Sequence, residues 1–371
     1  MKKNSFLCIF VMFIICVLSL SVPAPGFTAD KKVYTLRHSY YRPNNVSYIV
    51  HGVIPWEKRI EERSNGRIKF KNFWAGSLHS IREGVDAIRN DITDFTYTYA
   101  VHSPDTFDTL NSVNHIPLLF PNAYVETRVL EELYTEFIKD EYEKLGLMLW
   151  AMGMGTEDTY ISSKPVRLPK DLKGMKARGL AGLSNDILVN AGTTTISMSS
   201  ADLYNGFARG MIEITPHELH DVASDKLYEV IDYVIAGPHK MGWLGTGMLN
   251  TAMNPKTFRK LPKDLQKIIW EENRRLGAEW SIAVEKSEVE AQVIINEKMT
   301  VIKLTEEEIA TWKAYMEPII QKHLDTSKDA KTAKRFYAEC TRLSTQYADA
   351  TPEEILRLQI EKPVMGLHEP F

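Results

Sequence analysis

The sequence predicts an α/β protein of two units in series, joined by a long helix. Three observations favour this class. The 371 residues suggest two domains at about 150 residues each, and 44% hydrophobic with 25% charged content is typical of a folded protein. Segments with strand and helix patterns alternate along the chain. Residues 263–299 contain no proline and a single glycine, which predicts a helix too long for one small domain.

The first residues predict a secretory signal. Lys2 and Lys3 precede an uninterrupted apolar run from Phe6 to Leu18, and small residues follow up to Ala29. The run is shorter than the roughly 20 residues that a membrane-spanning helix needs. We therefore expect residues 1–29 to be a signal peptide and the protein to be exported to the periplasm. The cleavage site and an uncleaved N-terminal anchor stay open.

The charge balance argues against a nucleic-acid-binding protein, and the cysteine content argues against a fold held together by disulfides. The 45 Lys and Arg residues nearly balance the 48 Asp and Glu residues, and no block of like charges occurs, so we expect no nucleic-acid partner. Once residues 1–29 are removed, Cys340 is the one remaining cysteine. It cannot form an intrachain disulfide, and its surroundings are typical of a helix that packs into the core.

The first unit follows the order βαβαβ, which predicts parallel strands. Pro55 lies within the first helical pattern and is expected either to kink that helix or to mark its start. Strands are predicted at 34–38, 67–73, 93–100 and 147–152. Helices are predicted at 49–60, 81–88 and 129–137.

The second unit repeats the alternation after a turn at Asp171–Gly174. Extended segments are predicted up to Arg178 and at 195–198, 211–215 and 230–235. Helices are predicted at 184–191, from Ser199 or Ser200 to Arg209, and around Leu227.

The long run at 263–299 would form a helix of about 55 Å, which must cross more than one domain. Two helices broken at Gly277 are the alternative. Thr305–Glu308 then opens a further helix.

Motifs for catalysis are weak. The segment Pro216-His-Glu-Leu-His-Asp221 places two histidines and two acids close together, and we expect His217 and His220 to share a helix face. A metal-dependent hydrolase using His217, Glu218 and His220 is therefore an alternative, although this spacing matches no common zinc site. The sequence contains no nucleophile elbow and no phosphate-binding loop, so we expect no cofactor.

Arg178 is the sharper candidate for ligand binding. It ends a strand before the glycine-rich Gly179–Gly182, at the edge of the sheet where open α/β folds bind ligands. A guanidinium there can hold a carboxylate through two parallel hydrogen bonds, and a solvated surface arginine is the alternative. Aromatic residues also follow or lie in the first three predicted strands. Such residues either line a ligand pocket or fill the hydrophobic core. They are Tyr40, Tyr41, Phe73, Trp74, Tyr97 and Tyr99.

Several blocks of the sequence resemble those of one family in order and spacing. The C-terminal blocks are Asp171-Leu-Lys-Gly-Met-Lys-Ala-Arg178, Gly192-Thr-Thr-Thr-Ile-Ser-Met198, Asp202-Leu-Tyr204, Gly210-Met-Ile-Glu213, Lys226-Leu-Tyr-Glu-Val230 and Leu261-Pro-Lys-Asp-Leu265. The N-terminal blocks are Gly66-Arg-Ile-Lys-Phe70, Ala75-Gly-Ser-Leu78, Asp94-Phe95 and Pro117-Leu-Leu-Phe120. Together they resemble the extracytoplasmic solute receptors of tripartite ATP-independent periplasmic (TRAP) transporters, the dicarboxylate-binding protein family, over roughly residues 34–325.

The resemblance implies a two-lobed periplasmic-binding-protein architecture with crossing strands and a long domain-spanning helix. It places residues 30–155 plus about 238–275 in lobe I, residues 156–237 plus about 290–371 in lobe II, and the connecting helix at 263–299. It implies a receptor, not an enzyme, that closes on a small organic acid and delivers it to the membrane subunits of a TRAP permease. A ligand-sensing subunit of a signalling system is an alternative that shares every pocket feature.

The resemblance also implies site residues. Arg178 matches the arginine that clamps the substrate carboxylate, and His217 takes the place of a pocket amide, where it would add pH sensitivity near neutrality. The second arginine of some members has no counterpart around Asp158–Tyr160. We therefore expect a monocarboxylate with an apolar or aromatic body. The predicted substrate contacts are Arg178, His217, Tyr99, Tyr97, His102, Trp74, Tyr40, His38, Met198 and Trp243.

Overall fold

The computed structural model describes residues 32–103, 106–153, 155–180 and 182–364, and it contains two mixed β-sheets with helices around them. The predicted signal peptide at 1–29 lies outside the described residues. Within them, no helix combines the length and the apolar character that crossing a membrane requires.

The first sheet has the strand order β2-β1-β3-β10-β4. Its strands are β1 (Tyr34–Ser39), β2 (Ile68–Phe73), β3 (Phe95–Tyr99), β4 (Met148–Ala151) and β10 (Leu249–Met253). β1 pairs in parallel with β2 and β3, which confirms the prediction for the first three strands. β10 runs antiparallel to both β3 and β4, so the sheet is mixed.

The second sheet has the order β11-β9-β5-β8-β6-β7. Its strands are β5 (Thr159–Ser162), β6 (Lys176–Arg178), β7 (Thr194–Ile196), β8 (Ile214–His217), β9 (Tyr233–Ala236) and β11 (Thr300–Lys303). β6 is parallel to β7 and β8, whereas β5 is antiparallel to β8 and β9. The ends of β6 and β8 therefore place Arg178 and His217 at the same edge of the sheet.

Thirteen helices of the described residues surround the sheets. They are α1 (Ile54–Arg63), α2 (Gly84–Arg89), α3 (Asp108–Asn111), α4 (Ala123–Leu133), α5 (Lys139–Lys144), α6 (Leu183–Asn190), α7 (Leu203–Ala208), α8 (Leu219–Ser224), α9 (Pro255–Lys260), α10 (Lys263–Lys298), α11 (Glu306–Thr326), α12 (Ala330–Gln346) and α13 (Pro352–Glu361). Pro55 lies in the first turn of α1 and so marks its start, after a π-helical turn at Ile49–Val53.

Two short segments cross between the sheets, one between β4 and β5 and one at 237–248 between β9 and β10, and α10 makes a third crossing between β10 and β11, as the resemblance implies. Backbone hydrogen bonds connect the first crossing with the second. The Asp158 amide donates to the Gly245 carbonyl at 2.9 Å, and the Asp158 carbonyl accepts from the amides of Trp243 and Leu244, each at 2.9 Å. These bonds hold the first and second crossings together between the sheets.

α10 is one continuous helix of 36 residues, so the alternative of a break at Gly277 is wrong. Gly277 has a packing role instead. A Cβ atom there would lie 2.8 Å from Thr127 Cγ2 and 3.0 Å from Glu131 Oε1, so glycine lets α4 approach closely. α10 also contacts α1 and β4 beside the first sheet, and α8 and β11 beside the second.

The C-terminal helices confirm two local predictions. Thr305 and Glu308 form a reciprocal capping box at the start of α11. Cys340 is a buried residue of α12. α12 and α13 pack against α4, which follows the first sheet in the chain, and α11 packs against α6. The lobe boundaries, including the assignment of 290–371 to lobe II, stay a prediction.

Candidate functional site

A cavity of about 700 Å³ lies between the two sheets. Its size is within the usual range for small-molecule sites. The loop after β1, the turn at 75–82, the end of β3, the first crossing, and the carboxyl ends of β6 and β8 all contribute to its lining. Ligands of open α/β folds bind at strand ends of this kind.

Arg178 lines the cavity and is only 6% exposed. Its Nε donates to the Met198 carbonyl at 3.0 Å and its Nη2 to Ser200 Oγ at 3.2 Å. No carboxylate of the described residues forms an ion pair with it, and its Nη1 has no acceptor among them. Burial lowers the pKa of Arg178, and the charge of Asp158 is the largest opposing influence. The guanidinium stays charged and keeps donors for an anion.

His217 ends β8 and also lines the cavity, with an exposed fraction of 5%. Its Nε2 has no hydrogen-bond partner among the described residues. Burial lowers the pKa of His217 to about 4, although the charge of Asp221 acts in the opposite direction. The imidazole is therefore neutral near pH 7, which does not support the expected pH sensitivity near neutrality.

His217 and His220 do not share a helix face, because β8 ends at His217 and α8 begins at Leu219. Nδ1 of His220 lies 2.6 Å from Glu288 Oε1. Burial alone would lower the pKa of His220, but the charges of Asp221 and Glu218 and the bond to Glu288 raise it to about 10. His220 is thus an ion-paired cation that also lines the cavity.

Two groups of side chains could each hold a metal ion in the described part of the chain: His217 with Asp221 and Asp225, and Glu218 with His220 and Asp221. Neither is the trio His217, Glu218 and His220 that the hydrolase alternative requires. Asp221 is also committed elsewhere, since Arg42 Nη2 lies 2.7 Å from its Oδ1. A metal would have to displace these ion pairs.

Two further arginines line the cavity, and sequence reasoning missed both. Arg42, in the loop after β1, bonds Asp225 at 3.1 Å and Ser224 at 2.9 Å besides contacting Asp221. Arg82 is exposed, forms no ion pair within the described ranges, and lies close enough to affect the pKa of Arg178. No local pattern distinguishes either from a surface arginine.

Several predicted contacts lie in the core or pack against it and do not line the cavity. His38 and Tyr40 are buried and share the carboxylate of Glu57, at 2.8 Å and 2.6 Å. Trp74 stacks on Tyr40 with ring centroids 4.2 Å apart, and Tyr97 contacts the same ring edge-on. These side chains support the cavity wall from behind.

Trp243 is also a core residue, and its Nε1 donates to the Ile235 carbonyl at 2.8 Å. Tyr99 and Met198, in contrast, line the cavity. His102 ends a short 3-10 turn after β3, and its side chain lies outside what the structure describes.

Tyr41 and Tyr48 complete the apolar wall of the cavity, with their hydroxyl oxygens 3.3 Å apart. Tyr41 packs edge-on against Tyr97 at 5.3 Å between centroids. The position of Tyr41 just after β1 was visible in the sequence, whereas Tyr48 lies in the helical turn before Ile49–Val53, where no such signal marks it. The lining thus combines aromatic surface with one unpaired buried arginine.

Comparison with known proteins agrees with this geometry. The family model described as bacterial extracellular solute-binding protein, family 7 (DctP), matches residues 41–327. The chain is 23% identical over 284 residues to the C4-dicarboxylate-binding protein DctB of Bacillus subtilis (strain 168), an alignment that spans 71% of this chain and 75% of the relative.

Two solved structures share the fold. One is a marine metagenome TRAP solute binding protein specific for aromatic acid ligands, from an unidentified microbe, in complex with 3-hydroxybenzoate (TM-score 0.78, 20% identity, 85% of this chain and 99% of that chain). The other is a TRAP solute binding protein from Rhodoferax ferrireducens T118 with copurified benzoate (TM-score 0.78, 18% identity, 85% and 99%). They confirm the two-lobed architecture. With more than half of its residues matched by the family model, the chain belongs to family 7 of the bacterial extracellular solute-binding proteins.

Proposed function

We propose that this protein is the periplasmic receptor of a TRAP transporter and binds a small monocarboxylate with an apolar or aromatic body. The observation that carries the proposal is Arg178, a buried guanidinium that lines the cavity and has no ion-pair partner among the described residues. A buried charge without a counter-ion is costly, so an anionic ligand stabilises it.

The ligand carboxylate takes the free donors of Arg178, while its body packs against the rings of Tyr41, Tyr48 and Tyr99. The neutral imidazole of His217 donates one further hydrogen bond. Closure of the lobes brings both sets of contacts together, so the ligand favours the closed form.

The two structural neighbours support this substrate class, whereas the sequence relative DctB is named for C4-dicarboxylates. The structural neighbours are named for aromatic acid ligands or hold benzoate, and their identity of 20% or less leaves the substrate of this chain to be tested. Export through residues 1–29 places the receptor in the periplasm, where the closed form docks on the membrane subunits of the permease.

The test uses protein expressed from the full-length sequence, purified, and titrated with aliphatic and aromatic mono- and dicarboxylates in a thermal-shift screen and by calorimetry. A ligand at one hundred times its dissociation constant adds about 2.7 kcal/mol of stability. Arg178→Ala should weaken a hit by about 2–5 kcal/mol, because it removes the partner of a desolvated carboxylate.

Arg209→Ala is the matched control, since Arg209 is an exposed arginine after α7, in the same part of the chain. It should leave affinity unchanged. Undiminished binding by Arg178→Ala would refute the role of this arginine, and a panel in which no carboxylate stabilises the wild-type protein would refute the substrate class.

A further inference from the structure

The negatively charged side chain of Asp158 lines the cavity together with the positively charged side chain of Arg178. Asp158 directly precedes β5 in the first crossing and lines the cavity, although only 5% of the residue is exposed. Its side chain makes no hydrogen bond to any described residue. The nearest cationic candidate, His115 Nδ1, lies 3.4 Å from Oδ2 and is itself without a hydrogen-bond partner in the same described ranges.

The backbone of Asp158 is fixed on both sides. Its amide and carbonyl are bound to Gly245 and to the Trp243 and Leu244 amides, as described above. A Cβ atom on Gly242 would lie 2.8 Å from Glu157 Cβ, so the first and second crossings are in close contact next to Asp158. The Cα atom of Asp158 is therefore held at the cavity, and its carboxylate can move only by side-chain rotation.

A ligand carboxylate bound to Arg178 makes the nearby negative charge of Asp158 unfavourable unless another group of the ligand compensates that charge. Of the charges near Arg178, that of Asp158 favours the protonated guanidinium most. Once the ligand carboxylate binds Arg178, this group and the carboxylate of Asp158 both lie near one cation in a buried site. A hydrogen-bond donor on the ligand relieves the repulsion and satisfies the buried acceptor.

Besides the carboxylate held by Arg178, the ligand can present a second polar group to Asp158: a carboxylate, an ammonium or a hydroxyl. A second carboxylate would add another negative charge beside Asp158. An ammonium has three donors and no acceptor, yet the other lining carboxylates are committed. Asp221 and Asp225 are bound to Arg42, and Glu218 accepts a hydrogen bond from the Thr156 amide at 3.2 Å and lies 3.7 Å from His220 Nε2. A hydroxyl needs one acceptor, and its oxygen can accept from the unpartnered imidazole of His217. Of these three groups, the hydroxyl therefore fits best the hydrogen-bond donors and acceptors that the cavity offers.

We propose that Asp158 determines specificity, accepting a hydrogen bond from the hydroxyl of a hydroxy-substituted monocarboxylate whose carboxylate is held by Arg178. This inference rests on the proposed function and names the substrate class more narrowly. It assigns to Asp158 a direct contact with the ligand.

The test compares matched acids on the purified protein by calorimetry: benzoate with 3-hydroxybenzoate, and phenylacetate with mandelate. In at least one pair the hydroxylated acid should bind about tenfold more tightly or better. Isophthalate and 3-(aminomethyl)benzoate probe the second carboxylate and the ammonium, and both should bind more weakly than the hydroxylated acid.

Asp158→Ala should abolish the advantage of the hydroxylated acid while the parent acid binds at least as well as before. Asp158→Asn keeps an acceptor without the charge, so it should retain part of the advantage and accept isophthalate better than the wild-type protein does. Asp225→Ala is the matched control, because Asp225 is a lining carboxylate already bound to Arg42. It should weaken both members of a pair equally.

An unchanged preference in both Asp158 variants would overturn the inference, and so would equal binding of every matched pair by the wild-type protein. If Asp158→Ala does not fold, the Asp158→Asn titrations and the wild-type ratios decide. Failure of the proposed function is distinguishable, because then no carboxylate binds or Arg178→Ala binds normally.

Discussion

One ion-pair cluster connects the two halves of the molecule across the cavity. Arg42 follows β1 of the first sheet, whereas Asp221, Ser224 and Asp225 belong to α8 and its end, beside the second sheet. The guanidinium reaches Asp221 at 2.7 Å and Asp225 at 3.1 Å. We predict that Arg42→Gln favours the form in which the sheets are further apart and weakens ligand binding.

The magnitude follows from burial. The Asp225 side chain is 31% exposed, so its pair with Arg42 contributes at most about 1 kcal/mol. The Asp221 side chain is 7% exposed, and an unpaired buried carboxylate costs about 3–5 kcal/mol. The cation His220, whose Nε2 lies 3.4 Å from Asp221, compensates part of that cost. A net loss of about 2 kcal/mol corresponds to roughly thirtyfold weaker affinity.

Two measurements check this prediction. Calorimetry with the best acid from the screen gives the affinity, and small-angle scattering of the ligand-free protein gives the radius of gyration, which should increase in Arg42→Gln. Asp225→Asn should show a smaller effect of the same sign, since it removes only the more exposed pair. Affinity within threefold of wild type, together with unchanged scattering, would contradict the reasoning.

Three further predictions concern pH and packing. Burial raises the pKa of Glu218 to about 8, so affinity for carboxylates measured calorimetrically should fall as pH rises through 8, and Glu218→Gln should remove that fall. The pKa of His220 is raised to about 10 in the folded state. The stabilisation by its positive charge is therefore complete below about pH 6.5 and is lost as pH rises towards 10. In urea unfolding, the free energy of unfolding of His220→Gln should decline less across this pH range than that of the wild-type protein. Gly277→Ala should lower the free energy of unfolding by about 1–3 kcal/mol because its Cβ meets Thr127, whereas helix propensity alone predicts a gain of about 1 kcal/mol.

Most of the secondary structure could be predicted because apolar periodicity and turn residues mark it. β1 to β3, α10 and the capped start of α11 follow from such patterns. β5 and β10 were missed because every residue in each is buried, so neither shows the alternation of a half-exposed strand. Their antiparallel pairing depends on contacts between distant parts of the chain.

The candidate site could be predicted only where position determines it. Arg178 and His217 end neighbouring parallel strands, so topology brings them to one edge. His38 and Tyr40 looked equally suitable, but both pair with Glu57 of α1, a contact that no local pattern announces. Whether an aromatic residue at a strand end lines a cavity or fills the core depends on what packs over it.

The three arginines of the cavity show why charge pairing decides the chemistry. Counted as charges alone, Arg42, Arg82 and Arg178 would give the lining enough cations to hold a dicarboxylate. In the structure Arg42 is neutralised by Asp221 and Asp225, and Arg82 is exposed, where solvent screens its charge. Of the three, Arg178 alone is both buried and without an ion pair among the described residues, which supports the proposal of a monocarboxylate ligand.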